Sequence, residues 1–195
     1  MKEKSQYRSY KTQQTMDKWT SALENITGQS VSAFGRLSDE QLNWKPDPNT
    51  WSIAQNLDHL MVVNQTYYPV LASLTAGNYR TPFIAKFGFV VSFLGKTVLK
   101  AVQPDRQTKM KTFPIWEPAA SKIDGDIVAK FEKHQTELIQ KIRAAQGLVE
   151  KGVVISSPAN RNIVYKLETA FDIIVSHEQR HLAQAIDVLR AQSAG

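Results

Sequence analysis

The 195-residue sequence predicts an all-α protein, a four-helix bundle with a helical and loop insertion between its second and third long helices. Three observations predict it. Apolar residues recur at helical spacing over long stretches, and no convincing alternating strand pattern appears. Proline, glycine and capping residues also cut the chain into pieces of helix length.

The first helix is expected from about Tyr7 to Phe34, with Met16, Trp19, Leu23, Ile26, Ser30 and Phe34 near one face. Leu37 to Leu42 resembles a short helical turn, and Pro46, Pro48 and Asn49 force a loop after it. Ser52 and Gln55 form an S-x-x-Q capping box, with Trp51 just before it as the anchor of the turn. They open a second long helix expected to reach Ala76 and stop at Gly77-Asn78, with Ile53, Leu57, Leu60, Asn64, Tyr67/Tyr68 and Leu71 as its stripe. A shorter helix is expected over 83–101, followed by a basic connection carrying Pro104, Pro114 and Pro118. The third long helix is expected over 122–146, capped by Ser121 and ending near Gly147, and the fourth from Asn160 to Gln192. No repeat or second domain is evident, so residues 1–195 are read as one domain with an 83–120 insertion.

Composition removes several classes of function. With no cysteine, there is no disulfide framework, thiolate metal site or cysteine nucleophile, which agrees with a reducing compartment and a cytoplasmic location. Met1 to Lys18 lacks the apolar segment of a signal peptide. Phe83 to Val102 is interrupted by Lys86, Gly88, Gly95, Lys96 and Lys100, so no membrane span is expected. The formal charge of +6 is partly gathered between Lys96 and Lys111, with Lys100, Arg106 and Lys109. No nucleic-acid motif accompanies it, and a solvated basic loop is the better reading.

His177 and His181 stand at i and i+4 on the last helix, where two imidazoles project from one side and can share an ion. On a helical wheel they share a face with Ile163, Ala170, Ile173, Ile174, Gln184, Ala185 and Val188. A buried imidazole needs a hydrogen-bond or metal partner, because leaving it unpaired costs roughly 1–3 kcal/mol. The pair therefore favours metal over a packing role. The spacing also spells H-E-x-x-H, yet a zinc peptidase is disfavoured. The downstream glycine and ligand positions of one large peptidase group hold Gln184 and Asp187 in continuous helix, and the chain ends at Gly195.

A catalytic zinc site usually takes three protein ligands. His59 lies on a partly apolar flank of the second helix with Gln55, Val63, Thr66 and Val70. His134 sits among Glu132, Lys133, Gln135 and Glu137, as a surface or boundary residue would. His59 is the better placed of the two.

Two stretches together carry a resemblance. One runs from Leu37-Ser38-Asp39-Glu40-Gln41-Leu42-Asn43-Trp44-Lys45-Pro46 through Asn49 and Trp51-Ser52-Ile53 to His59-Leu60. The other is His177-Glu178-Gln179-Arg180-His181-Leu182-Ala183-Gln184. The chain resembles the DinB/YfiT-like superfamily of metal-dependent enzymes, specifically its DinB-like domain. The resemblance implies a four-helix bundle in which His59, His177 and His181 hold a divalent metal, most often zinc or nickel. It also implies a low-molecular-weight thiol as partner: some relatives transfer such thiols to electrophiles and others isomerise maleylpyruvate with a thiol cofactor. The family name reflects induction by DNA damage and implies no specific nucleic-acid binding.

Three functional readings follow. The first is a metal-dependent enzyme, a thiol S-transferase or a hydrolase acting on a small-molecule substrate. In it Glu178 serves as a base or as a group orienting a ligand, and Asn56 and Gln184 orient ligands or substrate unless they only hydrogen-bond the core. Its metal affinity is expected to fall as pH drops through the imidazole range. The second is a non-catalytic metal- or small-molecule-binding bundle, stress-related, with Phe113 and Trp116 on the insertion as a homodimer contact. The third takes the histidines as structural, paired with carboxylates such as Glu178.

Overall fold

A computed structural model describes residues 2–105, 113–118 and 122–194. In chain order its helices are α1 (Lys2–Phe34), α2 (Asp39–Asn43), α3 (Ile53–Gln65), α4 (Tyr68–Thr75), α5 (Gly88–Val102), α6 (Ile127–Ala144), α7 (Gln146–Glu150) and α8 (Leu167–Ala194). Two strands, β1 (Val154–Ser157) and β2 (Asn160–Lys166), precede α8, and 3₁₀ turns occupy Phe83–Lys86 and Pro114–Trp116. The bundle is α1, α3, α6 and α8: α1 packs on α6 and α8, and α3 packs on the same two from the other side. Their inward stripes, including Trp19, Leu23, Leu57, Leu60, Phe131, Leu138, Phe171 and Ile174, form one continuous core. Trp19 Nε1 also donates to Asp172 Oδ1 at 2.7 Å, which joins α1 to α8 by a polar bond as well as by packing.

The capping box expected at Ser52 and Gln55 is present, and a second one, not expected, stands at Ser38 and Gln41. Ser38 with Gln41, and Ser52 with Gln55, each form a reciprocal capping box that starts α2 and α3. The helix expected to run on to Ala76 is broken, however. Pro69 has no N–H for the carbonyl of Gln65 and its ring clashes there, so α3 stops at Gln65 and α4 restarts at Tyr68.

The helix expected over 83–101 begins at Gly88, after the 3₁₀ turn. It lies outside the bundle, against β2 and α8. Gly95 permits that approach, since a Cβ there would stand 3.1 Å from both Thr169 Cγ2 and Tyr165 Cβ.

The third long helix starts later than expected, at Ile127. Asn43 holds the backbone of Ile123 from both sides, donating to its carbonyl and accepting from its N–H at 2.8 Å each, so this stretch enters as extended chain. Gly125 passes directly against the Asp39 carboxylate, where a side chain would collide. Ser121, Arg106, Lys109 and Lys111 lie outside the described residues. At its far end the helix stops at Ala144, close to the expected end. A short α7 follows, and its stop is Gly152, with φ of 66°.

The main correction is the hairpin. Residues 160–166 are a strand paired antiparallel to β1, with Ile155 opposite Tyr165, and the last helix begins at Leu167. Ile163 is therefore on β2 and not on the histidine helix. The β-branched pairs Val154-Ile155 and Ile163-Val164 flank the turn residues Pro158 and Asn160, a pattern too short to show alternation. Tyr67 and Tyr165 meet through their buried hydroxyls at 2.8 Å and tie the hairpin to the start of α4. Among the described residues no helix is long and apolar enough to cross a membrane.

Candidate metal centre

The Ser52–Gln55 box sets the first turn of α3 so that Asn56 and His59 face α8. Asn56 Nδ2 donates to the Ser52 carbonyl at 2.9 Å, which turns its Oδ1 toward α8. There Oδ1 accepts from His181 Nδ1 at 2.8 Å. His59 Nδ1 donates to the carbonyl of Trp116 at 2.6 Å. Both rings thus carry their proton on Nδ1 and present a bare Nε2 lone pair, the form in which imidazole binds a metal.

These nitrogens converge. His59 Nε2 stands 3.3 Å from His177 Nε2, and His59, His177 and His181 each offer a ligand nitrogen within 4.8 Å of the others. Two nitrogens sharing a tetrahedral zinc at its usual bond length stand roughly 3.3 Å apart, the separation of His59 and His177. The three rings are mutually in contact, with centroids 4.5–5.0 Å apart. Trp51 covers two of them, stacked on His181 at 5.7 Å and tilted over His59 at 4.8 Å.

The electrostatics favour the neutral form. Burial pushes His177 down to about 3, helped by His59 and Arg180. Burial also holds His181 well below the usual imidazole value, with His177, His59 and Arg180 adding to it. His59 is lowered by burial against the opposing pull of the Trp116 carbonyl. His59 and His181 are buried, whereas His177 is half-buried. Arg180, one residue before His181, donates to the Ala101 carbonyl in the last turn of α5 at 3.0 Å.

Glu178 faces other partners. It is fully buried, and its two oxygens accept from Asn64 Nδ2 at 2.7 Å and Gln135 Nε2 at 2.6 Å. Burial raises its carboxyl to about 7 against the lowering effect of those two donors. Asn64 Nδ2 also reaches His134 Nε2 at 3.3 Å. His134, expected at the surface, is instead buried in this network with its imidazole pushed down to about 4. Its neighbours on the face made by Phe131, Leu138 and Ile142 carry it inward despite the flanking charges. Gln184, expected to face inward, is exposed because Ala185 takes the inward position.

Sequence reasoning named the three histidines, and the structure brings them together. It missed the Trp116 carbonyl, since a backbone acceptor leaves no mark in a sequence, and the cover given by Trp51. The Asn64–Gln135–Glu178 network did leave a signal: polar residues at core spacing on otherwise apolar faces of α3 and α6.

The chain is 28% identical over 156 residues, 78% of its own length and 85% of the relative's, to the uncharacterised protein YuaE of Bacillus subtilis (strain 168). No solved structure matches it significantly. The three histidines all fall within residues 22–185, the span matched by the family model of the DinB superfamily, and the chain belongs to that superfamily.

Proposed function

We propose that the protein is a divalent-metal-dependent enzyme in which His59, His177 and His181 are the ligands, zinc or nickel is the ion, and a small electrophile is the substrate. The observation that carries this reading is the convergence of the three nitrogens, with two of the rings held in the metal-binding tautomer by Trp116 and Asn56. A divalent ion in such a site lowers the pKa of a thiol or water bound beside it, which supplies a nucleophile near neutral pH. Transfer of a low-molecular-weight thiol is the first reaction to test and hydrolysis the second. His177 is the least buried of the three ligands, and thiol and substrate enter from its side. Trp51 excludes water from the opposite side of His59 and His181. Asn64 and Gln135 hold Glu178 one residue from His177, where it braces the ligand helix against α3 and α6.

The test combines metal content with turnover. Protein purified without a histidine tag should hold about one zinc or nickel per chain, and His181→Ala and His59→Ala should hold little. Metal-loaded protein should speed conjugation of a small thiol to a chromogenic electrophile, and His59→Ala should not. Unchanged stoichiometric metal in His181→Ala would sink the triad. Full metal binding with no turnover of thiol or ester substrates would favour a non-catalytic metal-binding role.

A further inference from the structure

The face presented by the Phe83–Lys86 turn and α5 contributes no ligand to the metal site and exposes several large rings. Phe83 is 70% exposed, Phe87 44%, Phe89 76% and Phe93 67%. Phe83, Phe87 and Phe89 are in ring contact in succession, at 5.7 and 6.3 Å, and Phe93 follows Phe89 one helical turn later. Single exposed apolar residues are ordinary, but four adjacent phenylalanines are a patch.

Charge narrows what can cover it. Between Asp58 and Asp105 the chain has no acidic residue, while Arg80, Lys86, Lys96 and Lys100 are all exposed. Lys96 and Lys100 continue the Phe89–Phe93 stripe along α5, and the Lys86 ammonium lies 5.0 Å over the Phe83 ring. The strand packed beside α5, β2, adds exposed Arg161 and Lys166 and no carboxylate. A second copy docking through the same face would set these cations against their own kind. The complementary partner is anionic and has an apolar layer for the rings.

From this we infer that the α5 face is a peripheral docking surface for a bilayer of anionic phospholipid. The phenylalanines enter the boundary between headgroups and acyl chains, and the lysines and arginines meet the phosphates. α5 lies in the plane of the surface and does not cross it, as its interrupted apolar stretch requires. Its last turn is bonded to Arg180, so the docked helix is joined to the helix that carries His177 and His181.

The test is flotation of the full chain with vesicles of equal parts phosphatidylglycerol and phosphatidylcholine, and with vesicles of phosphatidylcholine alone. The protein should float with the first and not the second, and binding should weaken at high salt. Lys96→Gln with Lys100→Gln should weaken binding about thirtyfold, from roughly fivefold for each basic residue near an anionic surface. Phe89→Ser with Phe93→Ser should abolish flotation while leaving the circular dichroism and zinc content unchanged, since both rings are exposed. In Phe93→Trp, lipids carrying a bromine quencher should quench the new indole. No flotation with either vesicle overturns the inference. So does equal flotation of the wild type and the double serine variant, which would leave only the overall positive charge at work. A solution dimer that the serine pair dissolves, without vesicle binding, would make the face a self-contact instead.

Discussion

Asn56 and His181 are linked by a hydrogen bond of 2.8 Å in which the imidazole Nδ1–H donates to the amide oxygen. The amide cannot turn over without losing its own bond to the Ser52 carbonyl, so the capping turn of α3 dictates which nitrogen of His181 is bare. Asn56→Leu should therefore lower zinc affinity by roughly ten- to a hundredfold with the helical content kept, whereas Asn56→Asp should retain it. Isothermal titration of the metal-free variants with zinc measures both, and equal affinity in Asn56→Leu would count against the role assigned to this bond.

The buried imidazoles change the pH dependence expected from the sequence. His59, His177 and His181 are all lowered, so they remain neutral as the pH falls through the ordinary imidazole range. Zinc affinity should accordingly stay nearly level through pH 6.5 and decline only in more acid solution. Competition of the protein with a chromogenic chelator across that interval checks it.

His134 makes a separate prediction for stability. Its imidazole titrates near 4 in the folded chain and near 6.5 when free. Above 6.5 both states are neutral; below it the unfolded chain takes up the proton first, and stability falls until the folded value is passed. The full loss is on the order of 3 kcal/mol. His134→Gln keeps an acceptor for Asn64 and should flatten this part of the curve, read from urea midpoints on either side of the interval.

Trp51 lies against two of the three rings, which makes it a reporter. Titration with nickel should quench part of the tryptophan emission, and Trp51→Phe should remove most of that change while leaving stoichiometry near one. Quenching of equal size in the variant would place the ion elsewhere.

Tyr67 and Tyr165 predict an asymmetry. Tyr165 also has the Ser157 hydroxyl as a partner, and Tyr67 has Tyr165. Tyr165→Phe should cost about 1–3 kcal/mol by stranding the Tyr67 hydroxyl in the core. Tyr67→Phe should cost less, and the double variant less than the sum, as a thermal or urea double-mutant cycle would show.

The parts of the fold legible in the sequence were those written many times over. The stripes of α1, α6 and α8 repeat across several turns, and the Ser52–Gln55 box states where α3 begins. The hairpin was not legible, because β1 has four residues and its partner runs without a gap into α8. The break before α4 was written in Pro69 and was outweighed by the apolar stripe on both sides of it. His177 and His181 stand out by spacing, and His59 by its flank together with the family resemblance, whereas His134 misled because its charged neighbours occupy the outer face of the same helix. What makes two of the rings competent, the Trp116 carbonyl and the turned Asn56 amide, depends on chain segments 57 and 125 residues away.

That long reach has a thermodynamic consequence. His59 and His177 are 118 residues apart in sequence, so the unfolded chain keeps only the His177–His181 pair and has no third arm. An ion held by all three rings binds the native state far better than the unfolded one, and each tenfold rise in free ion above its dissociation constant adds about 1.4 kcal/mol to stability. The melting temperature of this bundle should then read out the metal concentration around it.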